Sequence, residues 1–147
     1  MIKFVSANGV VCQGVLASSG AVGQTLPAGP AECRVISITS NGWNSPIDVV
    51  VHSSIADPTV ARGLVRQAGA QAPLDGPKNV PPGKFPNEDY EFKLGPPQGG
   101  WAADVIYMFE FYVEKNGNWY RTIVAFRFVG QANIEIWDIY ENSGVID

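Results

Sequence analysis

The segment 104–129 limits what this chain can fold into more than any other, because it has the form of one long β-hairpin turning on Asn116-Gly117. Its two arms, 105–113 and 119–129, both alternate apolar and polar residues. Asn-Gly suits the type I′ turn, in which both central residues need positive φ. A two-residue loop pairs Lys115 with Asn118 and sets the register of everything behind it. Val105, Tyr107, Phe109, Phe111 and Val113 then share a face with Phe128, Phe126, Val124, Thr122 and Tyr120. A three-residue loop, Lys115-Asn116-Gly117, would slip one arm by a residue and turn it over. That slip would place Arg121 and Arg127 among the aromatic rings, so the two-residue loop is expected. On the opposite face the same register pairs Tyr112 with Arg121, Met108 with Ala125 and Ile106 with Arg127. Glu110 faces Ile123, with Arg121 as its diagonal neighbour. This second face is mixed, suited to water or a polar interface, and Arg121 over Tyr112 adds a cation–π contact.

The rest of the chain carries weaker versions of the same pattern. Residues 2–6 and 10–17 flank Asn8-Gly9 as a first hairpin, and 18–30 has the composition of a crossing loop. Strands are expected at 33–40, 47–52 and 133–140, with Asn41-Gly42 turning between the first two. Asp57-Pro58 has the form of a helix start, an N-cap followed by proline at the first helical position. Val60, Ala61, Leu64 and Val65 make one apolar stripe at helical spacing, so a short helix is expected over 58–67, weakened by Gly63. Residues 68–101 hold seven prolines and six glycines. They are expected to be irregular except around 90–94, an ordered arm or lid. Several short antiparallel strands with a single helix point to an all-β fold, an antiparallel β-sandwich of jelly-roll type, with 1–147 as one domain. A closed β-barrel is the alternative architecture.

Composition narrows the function classes. Charged residues are 16% of the chain against 46% hydrophobic, well below the usual charged share of about 25%. A sparsely charged surface suggests cover by copies of the chain or by a larger assembly. A net charge of −4 with ten scattered basic residues argues against nucleic acid, which calls for a basic stripe. No apolar run approaches the roughly 20 residues of a membrane span. The N-terminal stretch enters alternation at once, without a basic segment leading an apolar one, so no secretory signal is expected in it. Localisation stays open between a virion and the cytoplasm. Cys12 and Cys33 are too few for a disulfide scaffold and are expected as two buried thiols.

Residues able to do chemistry are few. His52 is the sole histidine. Ser53 and Ser54 adjoin it, but consecutive strand residues point to opposite faces, and no nucleophile elbow is present. No zinc spacing exists. Glu88, Asp89 and Glu91, beside Asn87, match no calcium-loop pattern and are expected as a solvated acidic loop. Glu110 lacks a second carboxylate in fixed relation to it, as glycoside hydrolysis requires, and is expected to pair with Arg121 across the strands. Gly99-Gly100 lacks the lysine and following helix of a phosphate loop, and is expected to allow a sharp turn or a close backbone approach. The chain is therefore expected to be non-catalytic, with no cofactor and no metal. The contact candidates are aromatic or stacked: Trp43, Tyr90, Trp101, Tyr112, Trp119 and Arg121. They suit an assembly interface, as in a capsid-decorating or tail protein. The alternative is a carbohydrate-binding module or lectin in which Trp43, Trp101 and Trp119 stack on sugar rings.

Overall fold

The structure is a computed structural model that describes residues 31–130 and 133–145 together with the backbone of 3–5, 11–13 and 24–25; beyond residue 132, side chains are described for 133–137 and 139. Among the described residues eleven strands follow in order: β1 (Lys3–Val5), β2 (Val11–Gln13), β3 (Gln24–Thr25), β4 (Arg34–Ser40), β5 (Ile47–His52), β6 (Val60–Gln67), β7 (Asp75–Asn79), β8 (Tyr90–Leu94), β9 (Tyr107–Lys115), β10 (Asn118–Phe128) and β11 (Ile134–Val145). The fold is all-β, with two main antiparallel sheets and no helix among the described residues. One sheet has the strand order β11-β10-β9-β6-β7, the other β3-β4-β5-β8, and β1-β2 is a separate pair.

The β9–β10 hairpin takes the register its turn dictates. Asn116 (φ 55°) and Gly117 (φ 79°) both lie in the left-handed region, and the ladder runs from Lys115–Asn118 to Tyr107–Phe126. It stops short of the expected Ile106–Arg127 pair. Asp104 has φ 60°, its N–H donates to the Phe128 carbonyl, and the Ile106 carbonyl accepts from Ala68 on the β6 side. Tyr107, Phe109, Phe111, Val113, Val124, Phe126 and Phe128 are all buried, as the apolar face requires. Burial of each large ring on that face removes enough apolar surface to stabilise by about 1.5–3 kcal/mol. The facing sheet supplies Val35, Ile38, Ile47, Val49, Val51, Phe92 and Leu94 to the same core. Phe92 meets Phe109 at 5.9 Å and Phe111 at 6.2 Å. Thr122, the polar member of the apolar face, donates its hydroxyl to the Cys33 carbonyl at 2.6 Å. Cys33 is buried, with Sγ 3.2 Å from the Phe111 carbonyl. The Cys12 side chain lies outside the described residues, as do the Asn8-Gly9 turn and most of the 18–30 loop, while β1 and β2 pair antiparallel as a first hairpin would.

Residues 58–67 are not a helix. From Val60 on they form β6, in the interior of the five-stranded sheet between β7 and β9. Alternate residues Ala61, Gly63 and Val65 are buried, while Arg62, Leu64 and Arg66 turn outward. The stripe at 60, 61, 64 and 65 fits a helix, but Val60 and Val65 suit a pleated strand equally well. Gly63 settles the matter physically: a Cβ there would lie 2.9 Å from Phe92 Cε2 and 3.0 Å from Phe109 Cε1. The missing side chain is what lets these two rings meet over β6. Asp57, expected as an N-cap, has φ 47° and turns the chain into the strand.

The 68–101 segment is more regular than its composition suggests. The regular element expected around 90–94 is the strand β8, and β7 (Asp75–Asn79) adds an edge strand despite Gly76 and Pro77. Asp75 fastens this edge: its carboxylate accepts from the Gly95 N–H at 2.7 Å and the Gly76 N–H at 2.9 Å, with Lys78 Nζ 3.3 Å away. The end of the segment packs inward. Gly100 accommodates the Trp43 carbonyl, which would lie 2.9 Å from a Cβ at that position.

Candidate functional site

The outward face of the five-stranded sheet gathers the residues best suited to contacts. Outward positions on β6, β9 and β10 fall on shared rungs, so Arg62, Tyr112 and Arg121 lie side by side across three strands. Arg121 sits 5.4 Å from the Tyr112 ring centre and Arg62 sits 5.8 Å from it. Trp119 stacks on Tyr112 at 6.3 Å and 18°, and Arg121 also lies 5.8 Å from the Trp119 ring. The expected Tyr112–Arg121 contact is thus present, within a larger stack.

Glu110 is the electrostatic centre of this face. Its carboxylate receives Arg66 Nε at 2.5 Å and lies 3.8 Å from Arg121 Nε. The side chains are 13%, 21% and 17% exposed for Glu110, Arg66 and Arg121. The Arg121 pair was expected; Arg66 was not, since a helix over 58–67 would have taken it elsewhere. Arg121 Nε makes no hydrogen bond, whereas Arg62 is exposed and has no carboxylate within ion-pair distance among the described residues. Burial pushes the Tyr112 phenol above its ordinary value; Glu114 adds to the shift, and Arg121 and Arg62 oppose it. Arg62, Leu64, Pro77, Glu110, Tyr112 and Arg121 together line an open depression of about 300 Å³. Arg62 also borders a second hollow of about 280 Å³, walled by Val80, Pro81, Pro82 and Phe85.

Further along the same face the surface is not the solvated strip its sequence suggests. Met108, Ile123 and Ala125 are buried as a small second core with Ala68, Ile106 and Trp137 around it. A bulge in β11 opposite Ala125/Phe126 accompanies this cluster. Arg127 lies 4.6 Å from the Trp137 ring and pairs with Glu135 at 2.8 Å.

The remaining candidates serve packing. Trp101 is 3% exposed. It stacks on Phe128 at 5.6 Å and 18°, meets Tyr107 at 5.0 Å, and donates Nε1–H to the Ser45 carbonyl at 2.7 Å. Trp43 is half-buried against Phe128 at 5.5 Å. Tyr90 packs edge-on to Phe92 at 5.0 Å. Trp119 is 4% exposed. Trp43, Trp101 and Trp119 do not form one open platform: Trp101 belongs to the core beside Trp43, and Trp119 lies on the opposite side of the sheet.

His52 Nδ1, a buried atom, lies 3.0 Å from Asp89 Oδ1 without making a hydrogen bond among the described residues, and its ring edge meets Phe85. Ser53 donates its hydroxyl to the Glu32 carbonyl at 2.7 Å, so its proton points away from His52. Glu88 and Glu91 pair separately, with Lys84 at 3.7 Å and Lys93 at 3.1 Å. Among the described residues no cluster of three His, Cys, Asp or Glu side chains is placed to hold a metal ion, and no helix is long and apolar enough to cross a membrane. No family model, no curated protein and no solved structure matches the chain.

Proposed function

We propose that this chain is a non-catalytic structural subunit with a β-sandwich, jelly-roll-like architecture, which assembles with copies of itself or on a larger particle such as a virion. One observation carries this reading. Four of the five arginines in the sequence, Arg62, Arg66, Arg121 and Arg127, stand on the outward face of one sheet, and Tyr112 lies between Arg62 and Arg121. Arginine, tyrosine and tryptophan are the residues that dominate interface energetics. Stacking and ion pairs already hold most of these side chains in place, which reduces the entropy lost on docking. The low overall charge points the same way. Size-exclusion chromatography with light scattering, over a concentration series, tests the proposal. An oligomer whose mass rises with concentration is the expected outcome, and a monomer at every concentration overturns self-assembly.

A further inference from the structure

We propose that the Arg62–Tyr112–Arg121 rung is the receptor half of a head-to-tail contact, filled by the acidic loop 88–91 of a second copy. This rests on the self-assembly reading and names its interface. Arg62 is exposed and has no carboxylate within ion-pair distance among the described residues. Glu110 is shared by Arg66 and Arg121. Among the described side chains around the rung, Arg62, Arg66 and Arg121 stand with Glu110 and Glu114, one positive charge in excess on a chain that carries −4, whereas Arg127 further along is matched by Glu135 and Asp104. The rung is therefore locally basic on an acidic molecule, and carboxylate is the chemistry that complements it.

The chain offers such a group elsewhere on its surface. Glu88, Asp89 and Glu91 place three carboxylates within four residues, with side chains 60%, 54% and 47% exposed. Glu88 and Glu91 meet Lys84 and Lys93 only in surface contacts of the weak kind, and Asp89 lies beside the part-buried His52. The loop leads into β8, the edge of the four-stranded sheet, whereas the rung lies on the outer face of the other sheet. The two patches differ, so joining them makes a heterologous contact, which closes into a ring or propagates as a filament. The depression of about 300 Å³ that the rung lines together with Leu64, Pro77 and Glu110 gives the incoming loop a recess.

The test is a charge exchange on the intact chain. Arg62→Glu, at an exposed position, is expected to weaken self-association at least about tenfold, the effect of losing one interfacial charge pair. Glu88→Lys combined with Asp89→Lys is expected to do the same. Mixing the two variants pairs the native rung of one with the native loop of the other and sets the reversed rung against the reversed loop, so association returns although neither assembles alone; this also shows that both are folded. A monomeric wild-type chain overturns this contact and the self-assembly reading together. Wild-type assembly that Arg62→Glu leaves intact overturns the contact alone, and so does loss of assembly without rescue on mixing.

Discussion

Gly63→Ala separates the strand at 60–67 from the helix that its spacing suggests, because the two predict opposite signs. In a helix interior, replacing glycine by alanine stabilises by about 1 kcal/mol. In β6 the added methyl would meet Phe92 Cε2 at 2.9 Å and Phe109 Cε1 at 3.0 Å, inside normal van der Waals contact. Neither ring can yield easily. Phe92 is 1% and Phe109 0% exposed, and Phe92 is also held by Tyr90 and Phe111. Overpacking of this kind costs about 1–3 kcal/mol, offset by about 0.4–1 kcal/mol from the lower entropy of the unfolded chain. The net expectation is a loss of about 0.5–2 kcal/mol. For a urea dependence of about 2 kcal/mol per molar, the unfolding midpoint falls by about 0.3–1 M. Trimming the obstruction should reduce the penalty, so Gly63→Ala is expected to cost less in a Phe92→Leu background than alone. A midpoint equal to or above that of the unsubstituted chain would refute the placement of Gly63 between the two rings.

Three further outcomes follow from the packing and charges. Trp101→Ala should cost about 3–5 kcal/mol as a buried ring, lowering the melting temperature by roughly 10–15 °C; a change within 2 °C in differential scanning fluorimetry would return Trp101 to the list of surface contacts. Glu110→Gln, which leaves Arg66 and Arg121 without a counter-charge, should destabilise by about 1–2 kcal/mol, and equal chemical-denaturation midpoints would count against the pairing. Burial works to raise the Asp75 carboxyl, but the Gly95 N–H, Lys78 and the Gly76 N–H outweigh it and hold its value below the ordinary 3.8. Its folded-state value being depressed, its contribution to stability is present above about pH 4 and disappears as pH falls through that lower value. Asp75→Asn should therefore be less stable than the native chain at pH 7, with the gap narrowing in thermal melts as pH falls below the ordinary carboxylate range; a gap that stays constant on acidification would sink the assignment.

The hairpin and its register were legible because two local signals agree: the Asn116-Gly117 turn, and an aromatic row that tolerates only one pairing. β5 was legible for the same reason, alternating cleanly between turn residues, whereas at 90–94 a regular element was expected but not its type. β6 was not. Its apolar residues satisfy both periods, and what decides between them is the room that Phe92 and Phe109 need, a contact between distant parts of the chain. β7 reads Asp-Gly-Pro-Lys-Asn, which carries no strand preference and is held by the ladder to β6 and the Asp75 contacts. The candidate site was half visible. Tyr112, Glu110 and Arg121 followed from the hairpin register, but Arg62 and Arg66 join them only once β6 is beside β9. Their spacing of four residues keeps them on one side in a strand as well as in a helix, so the pairing partner rather than the pattern was missing.

Pro77 near the middle of β7 has a consequence for how copies of this chain can meet. β7 is the outer strand of its sheet, and a proline there has no N–H to offer a newcomer. A further strand cannot extend the ladder across that gap. Side-chain chemistry, which salt and pH can undo, is then the means of association left on this flank. An assembly built that way can be dismantled and rebuilt under mild conditions, unlike one stitched together through its backbone.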